Sequence, residues 1–142
     1  MAYQKKNPSA EEHKAHMDSM HKKAAAAHRK QTIEKIKAFL KGSEEYFDTQ
    51  DRLEQAYSEA GLANAMRWTV QRLQGYYDYN DGREDEVVEA QVEAFEAGDE
   101  EIEDPRCVMS YYVRLAYQRI QEQIDTSPIY HHAPNSPCSM PP

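Results

Sequence analysis

The sequence predicts an all-α protein: a small bundle of about four to five helices, led by a long basic N-terminal helix and closed by a disordered, proline-rich C-terminal tail. Three observations carry that expectation. Apolar residues recur at three- and four-residue spacing and nowhere alternate over a strand-length run. Five of the seven prolines follow residue 127, which leaves the interior free to be helical. The glycines punctuate the chain in a way that fits helix ends, Gly42, Gly61, Gly82 and Gly98 among them.

Ser9, followed three residues on by Glu12, forms a capping box. The helix it opens is expected to run to Gly42, a length of about 45–48 Å at 1.5 Å per residue. Its apolar content is uneven. Ile33, Ile36, Phe39 and Leu40 make a stripe, whereas residues 10–28 offer only alanines, Met17 and Met20, so this half is expected to project from the body or fray. Ser43 then caps a second helix with Tyr46, Phe47, Leu53, Ala56, Tyr57 and Ala60 on one face and Gly61 as its stop. A third helix carries Leu62, Met66, Thr69, Val70, Leu73, Tyr76 and Tyr77, the strongest apolar period in the chain, and ends at the turn Asn80-Asp81-Gly82. The fourth spans Arg83 to Ala97, turns Val88, Val92 and Phe95 inward, and stops at Gly98. Asp104 caps the fifth, with Pro105 at the favoured first position and Met109, Tyr112, Val113, Ala116, Ile120 and Ile124 along its stripe.

At 142 residues the chain has room for one domain, and with 30% charged residues its core must be small. It divides into a basic arm over 1–30, partly ordered as helix, an acidic helical bundle over 31–125, and a disordered tail over 126–142, TSPIYHHAPNSPCSMPP. The net charge of −8 conceals a strong asymmetry. Residues 1–41 hold ten bases against four acids, a net +6, and include every lysine; residues 42–142 hold seven bases against 21 acids, a net −14. Between Arg83 and Asp104 lie eleven acids and a single base. A run of that density repels itself, so something must reward keeping it.

Several classes are excluded or disfavoured. A net charge of −8 rules out a uniformly basic nucleic-acid coat. No apolar run approaches the ~18 residues of a membrane helix, and the N-terminus has no signal-peptide core, so a cytoplasmic protein without membrane contact is expected. Cys107 and Cys138 lack CxxC spacing and read as free thiols. The chain has no phosphate loop, no dinucleotide fingerprint, no nucleophile elbow and no metalloprotease helix, so neither enzymatic activity nor a cofactor is expected.

Three patterns could carry function. His13, His16, Met17, Met20 and His21 share one side of the first helix, and imidazole with thioether suits a soft cation such as copper. No cysteine or carboxylate completes that set, and His131, His132 and Cys138 in the tail would lose much entropy on closing a site, so no metal residue is assigned. Lys5, Lys6, Lys14, Lys22, Lys23, Arg29 and Lys30 could bind nucleic acid through phosphates without reading sequence, although the −14 body repels the same backbone. Glu86, Glu89, Glu93 and Glu96 repeat at helical spacing and make a negative ridge, much as phosphates do along a duplex. Tyr76, Tyr77 and Tyr79 precede that helix and Tyr111 and Tyr112 follow it, and tyrosine is a common interface anchor. For each charged pattern the plainer reading is a solvated face.

In size, charge and lack of catalytic motifs the chain is similar to small acidic helical proteins of phages and mobile elements that inhibit restriction or CRISPR nucleases. The likeness covers composition and no motif, so it assigns no residue. The expected function is a non-enzymatic interaction module, an inhibitor of a nucleic-acid-processing effector, binding a basic protein surface through its acidic helical face and tyrosines. One alternative is a nucleic-acid-associated accessory protein that touches phosphates with its lysine arm. Another is a His/Met metal-binding helix protein.

Overall fold

The computed structural model describes residues 9–126, which form five helices and no strand. They are α1 (Ala10–Leu53), α2 (Glu59–Ala65), α3 (Val70–Tyr77), α4 (Asp85–Glu96) and α5 (Pro105–Thr126). The expected disordered tail starts at Thr126, but Thr126 is the last residue of α5; the rest of the tail, with His131, His132 and Cys138, lies outside the described residues, as do Lys5 and Lys6.

The first helix starts as its sequence requires, with the Ser9 hydroxyl oxygen accepting the Glu12 N–H at 3.1 Å. It does not stop at Gly42. It continues to Leu53, 44 residues and about 66 Å in all, so the expected second helix over 43–61 is instead the end of α1, a loop and the first turn of α2. Gly42 serves contact rather than termination. A Cβ there would lie 2.5 Å from Met66 Sδ and 2.9 Å from Met66 Cε, so its bareness lets α2 approach α1. Ser43, expected as a cap, lies inside the helix and donates back to the Leu40 carbonyl at 3.1 Å. The actual end is Glu54, in the left-handed region at φ 53°.

The expected third helix is broken in two. Met66 closes α2, Arg67 takes a φ of 59°, and Thr69 caps α3 by accepting the Arg72 N–H at 3.1 Å. A threonine counted as part of an apolar stripe therefore acts as a start signal. Ser58 opens α2 in the same manner, accepting the Gly61 N–H at 2.9 Å. Tyr46 fixes that cap from α1, its hydroxyl donating to the Ser58 carbonyl at 3.1 Å and accepting the Ser58 N–H at 2.9 Å. The later elements follow expectation, with Gly98 at φ 89° just beyond α4 and Pro105 opening α5. Asp104 takes a different role from the cap foreseen for its side chain, described below.

The hub is α5, which packs against α1, α3 and α4, while α2 links α1 to α3. The core fills the space between them with Ile36, Phe39 and Phe47 of α1, Leu62 of α2, Leu73 of α3, Val88 and Val92 of α4, and Val108, Met109, Val113 and Ile120 of α5. Nothing on α1 before Thr32 is buried. From Ala10 to His28 every residue is exposed except half-buried Met17, so about 28 Å of formed helix stands clear of the bundle. At the base of this arm His28 Nε2 meets Arg106 at 3.4 Å and Lys37 reaches Glu100 at 3.5 Å.

Candidate functional site

The sequence of α4, DEVVEAQVEAFE, contains no base. Val88 and Val92 are buried, and Phe95 meets the Tyr112 ring edge-on at 6.0 Å, which sets the inward face against α5. Glu86, Glu89, Glu93 and Glu96 are all exposed, and none of them forms an ion pair among the described residues. Three acids elsewhere in the body are matched by arginine: Asp81 with Arg114 at 2.7 Å, Asp51 with Arg119 at 3.3 Å, Asp104 with Arg83 at 3.5 Å. These three arginines are thus committed to acids outside α4, and the negative field of α4 is left uncompensated.

The tyrosines named with this ridge are distributed over separate packing sites, and each is partly buried. Tyr76 packs on Trp68 with ring centroids 5.9 Å apart. Tyr77 tilts against Tyr117 at 5.4 Å, with the Arg114 guanidinium 4.8 Å above its ring. Tyr79 donates its hydroxyl to both carboxylate oxygens of Asp104 at 3.0 and 3.1 Å while Arg83 covers its ring at 4.5 Å. Burial and then the Asp104 acceptor push the Tyr79 hydroxyl up from its ordinary range. This is where Asp104 is spent: its side chain ties the α3–α4 turn to the start of α5. Tyr111 stands edge-on to Tyr112 at 5.3 Å.

Tyr111 and Tyr112 open onto a feature that the periodicity did not announce. Leu115, 44% exposed, lies between two depressions on the outer side of α5. One, about 340 Å³, is lined from α1 by Leu40, Glu44 and Phe47 and from α5 by Tyr112, Ala116 and Arg119. The other, about 200 Å³, is bordered by Asp85 and Val88 of α4 together with Tyr111, Arg114 and Gln118. The two flank Leu115 along α5 as one shallow groove, bordered by α1 on one side and by α4 on the other. Burial first, and then the charge of Glu96, raise the Tyr112 hydroxyl from its ordinary range. The sequence signal was a leucine off the α5 stripe with tyrosines three and four residues before it.

A second network also escaped the sequence reading. The Tyr57 hydroxyl donates to Asp51, whose other oxygen takes Arg119 at 3.3 Å, and Arg119 stacks over Phe47 at 4.1 Å. Burial, then the Asp51 acceptor, push Tyr57 up to about 12. The arrangement ties the end of α1 to α5 and leaves Tyr57 a poor proton donor at neutral pH.

On the arm, Lys14, Lys22, Lys23 and Lys30 are exposed and Arg29 is half-buried. Among the described residues no three His, Cys, Asp or Glu side chains are grouped to hold a metal ion, so His13, His16 and His21 are not brought together as ligands. Among the same residues no helix is long and apolar enough to cross a membrane. No protein-family model, no curated protein and no solved structure matches the chain, so what the site can do is read from its own residues.

Proposed function

We propose that the protein is a non-enzymatic interaction module whose acidic α4 face receives the basic surface of a nucleic-acid-processing effector and inhibits it by occupying that surface. The observation that carries this reading is the exposure of Glu86, Glu89, Glu93 and Glu96 at helical spacing on a helix without a base, none of them in an ion pair among the described residues. Exposed charges of one sign act mainly by steering association and are screened by salt.

The test begins with capture of partners from the source cell, with and without nuclease, to separate protein contacts from nucleic-acid bridges. Replacing all four glutamates with glutamine retains helicity, because glutamine is nearly as good a helix former, and relieves self-repulsion. The captured partner is expected to associate more slowly with this variant, and only the parent's on-rate should fall steeply with added salt. Equal on-rates at low salt would reduce the ridge to a solvated face.

The arm supports a second reading, contact with phosphates, because its lysines stand on a formed and exposed helix. Changing Lys22, Lys23 and Lys30 to glutamine should then abolish a salt-sensitive shift of any oligonucleotide, with little dependence on sequence. A shift that survives high salt, or follows sequence closely, counts against it.

A further inference from the structure

We infer that the arm of one copy docks into the groove over α5 of a second copy. The inference rests on the reading of α4 as an acidic docking wall and adds the occupant.

The arm carries a seam that its exposure leaves unused. His13, Met17, Met20, Ala24, Ala27 and Gln31 recur at alternating spacings of four and three, the pattern that lets one helix lie along another. Met20 is 50% exposed, and an apolar depression lies at the base of the seam beside Ala27 and Gln31. Both flanking rows are basic or imidazole: Lys14, His21, His28 and Lys35 on one side, His16, Lys23 and Lys30 on the other. The arm's three acids, Glu11, Glu12 and Asp18, fall outside these rows. Two such arms laid together would face like charge along both edges, which argues against arm-to-arm pairing.

The groove offers the complement. Its apolar centre is Leu115, exposed between the two depressions, with Tyr111 and Tyr112 beside it, and small seam residues such as Ala24 would let the arm sit low over Leu115. Three arginines border it, but each is neutralised by an aspartate: Arg83 by Asp104, Arg114 by Asp81 and Arg119 by Asp51. The acids without an ion pair among the described residues, Glu44 on the α1 side and Asp85 on the α4 side, therefore set the sign of its walls. A helix with an apolar seam and cationic edges fits a slot with an apolar floor and anionic walls. The arm cannot reach its own groove. Because α1 is unbroken, Met20 stands about 36 Å along the axis from Glu44, so the occupant must come from another copy.

The contact is heterologous, arm to groove, and that makes it testable by complementation. An arm variant combines Met20→Glu with Lys23→Glu; a groove variant combines Leu115→Lys with Glu44→Lys. All four positions are exposed, so neither variant depends on the core, and circular dichroism and thermal melting check that both fold. Sedimentation of the full-length parent should show mass rising with concentration, more at low salt than at high. Each variant alone should associate at least about tenfold more weakly. Mixed together they should form a one-to-one pair and nothing larger, since one supplies a sound groove and the other a sound arm. A parent that stays monomeric overturns the inference. So does a mixture that fails to pair while the parent associates, which would mean arm-to-arm contact. Neither outcome touches the ridge reading, which is scored on the salt dependence of the captured partner's on-rate.

Discussion

The two halves of α1 are one helix built on different grounds. From Thr32 onward it buries Ile33, Ile36, Phe39, Tyr46 and Phe47 against α2 and α5, and tertiary packing holds it. From Ala10 to His28 the backbone is the same, yet no side chain is buried. Here helicity rests on the Ser9 cap, acids in the first turn, a run of four alanines and continuity with a firm base. Nucleation is the costly step of helix formation, and the buried half supplies it. The lesson is that a packed helix can carry an unpacked extension beyond what its own apolar content would sustain.

The largest expected effect follows from Phe39, which has no exposed surface. Phe39→Ala should lower global stability by about 3–5 kcal/mol, whereas Met20→Ala should move it by less than about 0.5 kcal/mol, both read from chemical-denaturation midpoints. With both measured dilute enough to keep the protein monomeric, a loss at Met20 comparable to that at Phe39 would mean the arm packs on its own bundle. Next comes alkaline pH, which should act on the body and spare the arm. Burial pushes both Tyr57 and Tyr117 up to about 12, from an ordinary value near 10. Their protonated hydroxyls therefore add stability that is complete below pH ~10 and lost as pH rises toward ~12, visible as a falling denaturation midpoint and delayed tyrosinate absorbance. Tyrosinate titrating wholly at its ordinary pH in the folded protein would contradict this packing.

Amide exchange draws the same line within one helix. In the monomer, amides between Lys14 and Ala26 should exchange through low-energy local openings, and those of Val108 to Ile120 only through global unfolding. Equal protection would erase the distinction between the halves. Smaller again is the glycine pair. Gly75 has open space where a Cβ would go, so Gly75→Ala should stabilise by about 0.5–1 kcal/mol, a gain that Gly42→Ala should not show because Met66 must move first. The smallest global effect is expected from Ser9→Ala, which removes about 1 kcal/mol from the arm's own helix and should appear as lost ellipticity with the unfolding midpoint unchanged.

Much of the fold could be read from residues whose role is local. Ser9 and Pro105 act within one helical turn, Gly98 supplies a left-handed residue, and the α4 stripe follows helical periodicity. The misreadings share a cause. A glycine that ends a helix and one that admits a neighbour are the same letter, and only Met66 beside Gly42 tells them apart. Thr69 fits an apolar period as well as it fits a cap, and the choice was settled by the turn at Arg67. The exposed glutamates of α4 were legible because solvent-facing acids on a helix need no knowledge of the rest of the chain. The groove was not, since Glu44, Asp85 and Leu115 come together only when α1 and α4 are laid on α5. Asp51 and Arg119, separated by 68 positions, are a pairing that no spacing rule could indicate.

An unbroken α1 also behaves as a ruler. Whatever grips the arm holds the bundle at a fixed standoff and a fixed bearing, because no loop intervenes to absorb rotation. Each residue removed from the stretch before Thr32 shortens the standoff by about 1.5 Å and swings the tip by about 100°. Deleting seven residues would bring the tip some 10 Å closer with nearly the same side forward, whereas deleting two would turn it to face almost the opposite way. Phase, more than length, would then decide what the arm can grasp.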